Sequence, residues 1–291
     1  MHTPVRLLTL LGAALLALTL TLPLGLGIAA PASAARDVDV VAHRGSSGAA
    51  PENTLAAVRL AIRQKSDVVE NDIQRTRDGE LVIVHDTTLA RTTDVESTFP
   101  DRAPWNIRDF TLAEIKTLDA GSWFGPEFVG ERVPTLAQWV QAVGSRAGML
   151  LEVKAPELYP GIEIDVDKEL RSLSEFNAAV RAGRVVVQCF NHDWLRTYAD
   201  LAPDVPVGLL FAGGPPSEAQ LADAAGWADQ ANPALGDVPD PALVDLIHSY
   251  GLETHVWTVN DATNMRKAIR FGVDGIITNF PQLLHDVLRN G

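Results

Sequence analysis

The chain has 291 residues, of which 46% are hydrophobic and 21% charged. This is ordinary globular composition, and it excludes a disordered or collagen-like chain. With 37 acidic against 24 basic residues the net charge is −13, a surface that repels nucleic acid and anionic headgroups at long range, so any phosphate must be gripped locally.

Residues 1–34 open with a short basic start at Arg6, continue through a largely apolar stretch from Leu7 to Ala30, and end in Ala32-Ser33-Ala34. That order predicts a secretory signal peptide cleaved near Ala34. Residues 35–291 would then form the mature, secreted chain, with no stable insertion in a membrane. An uncleaved anchor is the competing reading, because about 20 apolar residues span a bilayer. Pro23, Gly25 and Gly27 interrupt the stretch and favour cleavage. Cys189 is the only cysteine, which excludes an intrachain disulfide and a multi-cysteine zinc site.

From residue 36 onward, short β-branched runs alternate with helical patterns, the mark of a parallel α/β fold. Strands are predicted at 38–43, 68–73, 149–154, 185–190, 206–211, 227–231, 254–259 and 274–278. Eight staves and about 250 mature residues fit one (β/α)₈ TIM barrel. A ninth run, 81–86, follows the second strand across Asp78-Gly79. That connection is too short for a parallel crossover, so the run is expected to pair antiparallel with its predecessor.

Amphipathic helices are expected at Thr54–Gln64, burying Leu55, Val58 and Ile62, and at Asp261–Phe271, burying Met265, Ala268 and Ile269. Thr111 with Glu114 forms a capping box ahead of a helix Leu112–Leu118, and Thr135 caps Leu136–Val143. Both lie in the longest interruption, residues 87–148, a small insertion after the second strand and its antiparallel extension. Its aromatics Trp105, Trp123, Phe124 and Phe128 either line a substrate pocket on the barrel mouth or hold the excursion together; the sequence leaves both open.

Barrel catalysis is assembled at the carboxyl ends of strands. There the sequence places His43-Arg44-Gly45, Glu70-Asn71-Asp72, His85-Asp86 and Glu152-Val153-Lys154. Period-two alternation puts Glu70 and Asp72 on one face of their strand, and Glu152 and Lys154 on one face of theirs. Three carboxylates, a lysine and an arginine thus converge with two histidines. Inward charges in an otherwise apolar barrel carry a desolvation cost, which becomes tolerable if a cation neutralises them.

The stretch 40–94, with His43-Arg44-Gly45, Pro51-Glu52-Asn53-Thr54, Glu70-x-Asp72 and His85-Asp86 in that order, resembles the N-terminal signature of the glycerophosphodiester phosphodiesterase family. The resemblance continues through Glu152-x-Lys154, Gln188-Cys189-Phe190, Trp257-Thr258-Val259-Asn260 and Asp274–Asn279. Two departures are Asn71, where the family usually has an apolar or small residue, and Cys189, where a small residue such as serine is common.

The resemblance implies hydrolysis of a small-molecule glycerophosphodiester to glycerol 3-phosphate and an alcohol. It implies Glu70, Asp72 and Glu152 as ligands of a divalent metal, and oxygen-only ligation suits Ca²⁺ or Mg²⁺. It implies Arg44 and Lys154 as holders of phosphate oxygens, and His43 and His85 as the acid–base pair, leaning towards His43 as base and His85 as acid. Trp257 faces the glycerol or alcohol moiety, or packs in the core. Glu52 and Asn53 position the site, or Asn53 caps the following helix. His192, His248 and His255 are read as structural. Two rivals remain: a sphingomyelinase D-like or phospholipase D-like enzyme of the same barrel acting on intact lipids, and a non-catalytic binding protein on the same fold.

Overall fold

The structure, a computed structural model, describes residues 38–290; the leader predicted over 1–34 lies outside them. Nine strands form one sheet: β1 (Asp39–Ala42), β2 (Val68–Arg75), β3 (Leu81–Ile83), β4 (Gly148–Val153), β5 (Val185–Cys189), β6 (Val207–Phe211), β7 (Gln230–Pro233), β8 (His255–Val256) and β9 (Gly275–Thr278). Eight are parallel staves in the order β7-β6-β5-β4-β2-β1-β9-β8. Two isolated parallel bridges, Gln230 with Glu253 and Ala234 with Trp257, close the ring between β7 and β8. Each stave is followed by a helix, so the fold is the (β/α)₈ barrel that the alternation predicts.

Three strands differ from expectation by three residues at one end, among them the run at 81–86, which forms β3 only as far as Ile83. The run placed at 227–231 forms a strand only from Gln230 to Pro233, while Trp227 packs at the rim. Hydrophobicity points to the wrong residues because the inward positions here, Gln230 and Asn232, are polar and hydrogen-bonded to each other inside the barrel. The strand expected at 254–259 shrinks to His255–Val256.

The helix Leu55–Arg63 is capped by Thr54, whose hydroxyl accepts from the Ala57 N–H. Its buried face is Ala57, Val58 and Ala61, with Leu55 and Ile62 only partly covered. The small residues are needed because the turn after β1 runs against this helix. Gly45 has φ +81°, and a Cβ there would lie 2.6 Å from the Ala57 carbonyl carbon. Only glycine meets both demands. In the helix Ala262–Phe271, Met265 and Ala268 are buried and Ile269 is half-buried.

β3 runs antiparallel to β2, pairing Ile73 with Ile83 and Arg75 with Leu81. Its residues alternate between two cores: Leu81 and Ile83 join the main barrel core, whereas Val82 and Val84 join a second cluster. That second cluster is built by the excursion from Leu89, Val95, Ile107, Phe110, Ile115, Leu118 and Val133. The capping box of Thr111 and Glu114 is present, on a short helix Leu112–Ile115. Helix Leu136–Val143, also opened by a capping box, packs its Leu136, Trp139, Val140 and Val143 on the barrel core and is the ring helix between β2 and β4.

Asn71 points outward from β2 between the buried Val69 and Ile73. It is fully buried, and neither amide atom has a hydrogen-bond partner. An unsatisfied buried polar group costs about 1–3 kcal/mol. Asn71→Val, which suits a strand in apolar surroundings, is expected to raise the melting temperature by roughly 2–4 °C per kcal/mol recovered. Calorimetry of the two proteins checks this; an unchanged or lower midpoint would show that the amide is satisfied in solution.

Candidate active site

The staves β1, β2, β4, β5, β6, β8 and β9, with the segment after β3, surround a cavity of about 100 Å³ whose lining includes His43, Arg44, Glu70, His85, Glu152, Lys154, Gln188, Phe190 and Trp257. Wider clefts of about 490 and 650 Å³ open at the opposite, amino-terminal end of the staves. Size therefore does not select the site; the convergence of charged side chains does.

Glu70, Asp72 and Glu152 bring one carboxylate oxygen each to within 4.8 Å of one another, and all three residues are buried. They do so because β2 and β4 are paired in parallel with Asp72 opposite Glu152. Neighbouring donors satisfy some of their oxygens. The Arg44 backbone N–H donates to Glu70 Oε2 (2.6 Å), Asn53 Nδ2 to Asp72 Oδ2 (2.7 Å), and Lys154 Nζ to Glu152 Oε1 (2.5 Å). Glu70 Oε1 and Asp72 Oδ1 stay buried without a hydrogen-bond partner. Such oxygens, in an all-carboxylate set, fit a hard divalent cation.

The electrostatics agree. Burial, then Asp72 and Glu152, pushes the Glu70 carboxyl well above its ordinary range. Burial and Asp72 raise Glu152 to about 7. Burial also works against an ionised Asp72, but Arg44 and Lys154 outweigh it and hold that carboxyl below the usual range. The protein's own cations thus support one ionised carboxylate and leave the other two short of positive charge.

Arg44 and Lys154 both lie at the cavity wall, engaged with acids. Arg44 Nη1 donates to Glu52 Oε1 (3.0 Å) and its Nε lies 3.2 Å from Asp72 Oδ2, while Lys154 Nζ lies 3.7 Å from Asp72 Oδ1. Arg44 adopts φ 57°, a left-handed backbone uncommon for a non-glycine residue. In that conformation both its N–H and its side chain face the carboxylates.

The two histidines have different partners. His43 Nδ1 lies 2.7 Å from Asn279 Oδ1, and the Asn279 N–H is in turn held by Asn260 Oδ1 at 2.9 Å. With an amide oxygen as acceptor, Nδ1 carries the proton and Nε2 keeps its lone pair. Burial, then the adjacent Arg44, lowers the His43 pKa to about 4. His85 Nδ1 lies 2.8 Å from Asp86 Oδ1. Arg91, in the excursion, donates to both oxygens of Asp86 and both oxygens of Glu52 at 2.7–2.9 Å.

Trp257 lines the cavity and also packs: its ring meets Phe190 edge-to-face at 5.4 Å, and its Nε1 donates to the Asn232 carbonyl. Asn53 is not the helix cap, which is Thr54; its amide serves Asp72. None of Trp105, Trp123, Phe124 and Phe128 lines the cavity. Trp105 packs on the excursion core, and the other three stack edge-to-face on one another. His192 binds the Leu210 carbonyl, His248 pairs with Asp274, and His255 is buried below the mouth. Sequence reasoning missed Asn279, Arg91 and Gln188 as site neighbours. For Asn279 the signal was available: it follows the last stave, as His43 follows the first.

Residues 43–283 match the model of the glycerophosphoryl diester phosphodiesterase family. A glycerophosphodiester phosphodiesterase of Caldanaerobacter subterraneus is 38% identical over 254 residues, covering 87% of this chain and 98% of that protein. One from Bacillus subtilis is 36% identical over 260 residues, covering 85% of each. Among solved structures, an Oleispira antarctica phosphodiesterase in complex with the product sn-glycerol-3-phosphate superposes with a TM-score of 0.74 at 29% identity, covering 86% of this chain and 96% of that one. A match that begins at His43 and takes in every strand-end residue described above places this chain in the glycerophosphoryl diester phosphodiesterase family, and so among the phosphoric diester hydrolases.

Proposed function

We propose that the protein hydrolyses small glycerophosphodiesters to glycerol 3-phosphate and an alcohol, with a divalent cation, Ca²⁺ or Mg²⁺, held by Glu70, Asp72 and Glu152. The observation that carries this reading is the trio of buried carboxylates, two with an oxygen that has no hydrogen-bond partner, of which Glu70 and Glu152 line the same small cavity as two histidines. The cation would neutralise the trio and polarise a phosphoryl oxygen.

Arg44 and Lys154, already poised over the carboxylates, supply donors to the remaining phosphate oxygens, Arg44 through its planar fork and Lys154 as a point charge. His43, with a free Nε2 lone pair, takes the proton of the attacking oxygen, that of water directly or of the glycerol 2-hydroxyl, in which case water then opens the cyclic phosphate to glycerol 3-phosphate. His85, backed by the Asp86 carboxylate as counter-charge, gives a proton to the leaving alkoxide. The cavity of about 100 Å³ lies far below the ~300 Å³ of a pocket that encloses a drug-sized ligand. It suits a phosphoryl group with its alcohol over the rim, where Phe190 and Trp257 stand.

Turnover of glycerophosphocholine by metal-stripped protein, before and after adding back Ca²⁺ or Mg²⁺, tests the proposal, with intact sphingomyelin as the comparison. Cation-dependent release of glycerol 3-phosphate is expected. Preference for sphingomyelin would favour the lipid-hydrolase rival, and tight binding without turnover the binding protein.

Export is proposed on the sequence of residues 1–34 alone. Among the described residues no helix is long and apolar enough to cross a membrane. Mass spectrometry of protein from the culture medium is expected to find an N-terminus near Ala35; intact Met1 in a membrane fraction would establish the anchor instead.

A further inference from the structure

Resting on the reading of His85 as the acid, we propose that Arg91 is a positioning residue that sets this histidine and the phosphate-gripping Arg44 in one fixed relation. Its guanidinium commits four N–H donors in two forks. Nε and Nη2 hold the two oxygens of Asp86, and Nη1 and Nη2 hold the two oxygens of Glu52. Each carboxylate passes the constraint on: Asp86 Oδ1 to His85 Nδ1 at 2.8 Å, and Glu52 Oε1 to Arg44 Nη1 at 3.0 Å. The chain His85–Asp86–Arg91–Glu52–Arg44 spans the mouth from the excursion side to the end of β1. It continues through the Arg44 N–H to Glu70.

An isolated ion pair at this exposure would contribute little. Arg91 differs in two respects. Its side chain is 45% exposed, so its bonds rather than packing hold it. Its backbone is anchored on both sides, by Leu89 in the excursion core and by Thr93, whose hydroxyl donates to the Leu89 carbonyl. Without the guanidinium, Asp86 and Glu52 would repel each other and both relays would lose their reference point. Lysine cannot replace it, because one ammonium lacks the planar fork that meets two carboxylates at once.

The experiment compares Arg91→Lys, Arg91→Ala, Asp86→Asn and the Arg91→Ala/Asp86→Asn double variant, saturated with cation, on glycerophosphocholine and on glycerol p-nitrophenyl phosphate. A misplaced catalytic group costs about 10²-fold. Arg91→Ala is expected to lose that factor in kcat on glycerophosphocholine, with KM raised on both substrates as Arg44 loses its reference point, and Arg91→Lys nearly as much. Most of the kcat loss should return with the p-nitrophenol leaving group, which needs no acid. The double variant should fall no further than the worse single one, since both break one relay. A readout independent of turnover is the imidazole nitrogen NMR shift in the metal-free protein, which should move for His85 in Arg91→Ala. Equal losses with both leaving groups, a change confined to KM, wild-type rates in Arg91→Lys, or an unmoved His85 resonance in folded Arg91→Ala would each overturn the assignment. If wild-type protein turned over neither substrate, the proposed activity would fail, and the His85 resonance would still decide the case of Arg91.

Discussion

Glu70→Gln is expected to lose on the order of 10³-fold in kcat/KM, and at the same time to make the metal-free protein more stable at alkaline pH. The activity loss follows if the trio holds the cation, because polarising a phosphoryl oxygen supplies several kcal/mol and each tenfold in rate is about 1.4 kcal/mol. The stability gain follows from the sign of the shifts. Glu70 is pushed well above its ordinary range and Glu152 to about 7. A carboxyl whose pKa is raised by folding contributes stability that is full below its unfolded value and is lost as pH rises through the folded one. Metal-free wild type should therefore weaken as pH climbs through about 7. The substituted amide would remove one repelling charge while keeping an acceptor for the Arg44 N–H. Thermal melts across that range, with and without Ca²⁺ or Mg²⁺, check both halves. Added cation should stabilise wild type and not the variant. A variant that is inactive and also less stable without metal would mean Glu70 serves the fold rather than a cation.

His43→Ala and His85→Ala should each cost roughly 10²–10⁴-fold in rate, the usual size of an acid–base contribution, with cation affinity retained. Their hydrogen bonds separate the roles. His43, bonded to the Asn279 amide and with a pKa lowered to about 4, favours its neutral form and is the proposed base. His85, bonded to the Asp86 carboxylate, is the proposed acid. With a p-nitrophenol leaving group, His85→Ala should recover much of its loss and His43→Ala should not. The double variant should fall by less than the product of the single losses if the pair acts as a unit. Two single variants at wild-type rates on glycerophosphocholine would end the two-histidine mechanism.

Much of this was legible because the charged strand ends break an apolar pattern. Glu70, Asp72 and Glu152 stand out in strands otherwise rich in valine and leucine, and alternation alone puts Glu70 and Asp72 on one face. The antiparallel β3 was readable from Asp78-Gly79. What escaped was of two kinds. Polar inward residues such as Gln230 and Asn232 displaced the stave expected at 227–231, which forms at Gln230–Pro233. Relationships between distant loops, such as Arg91 with Glu52, leave no local trace, since nothing in their spacing brings them together. The excursion aromatics were open to two readings, and of these the structure shows packing: they lie on the excursion core or on one another.

The strand that delivers His85 serves two cores by turns, Leu81 and Ile83 in one and Val82 and Val84 in the other. The placement of His85, the proposed acid, thus depends on both. A change in the packing under Phe110 or Leu118, in the same cluster as Val82 and Val84, would be expected to reach this strand as a change in the barrel would. On the proposed mechanism, drift in the excursion would retune proton delivery first, while the carboxylates, placed by the pairing of β2 with β4, would feel it only through the Arg91–Glu52–Arg44 relay. In a lineage the two halves of the chemistry would then be free to diversify at different rates, one tied to the geometry of a closed barrel and the other to a surface elaboration that tolerates revision.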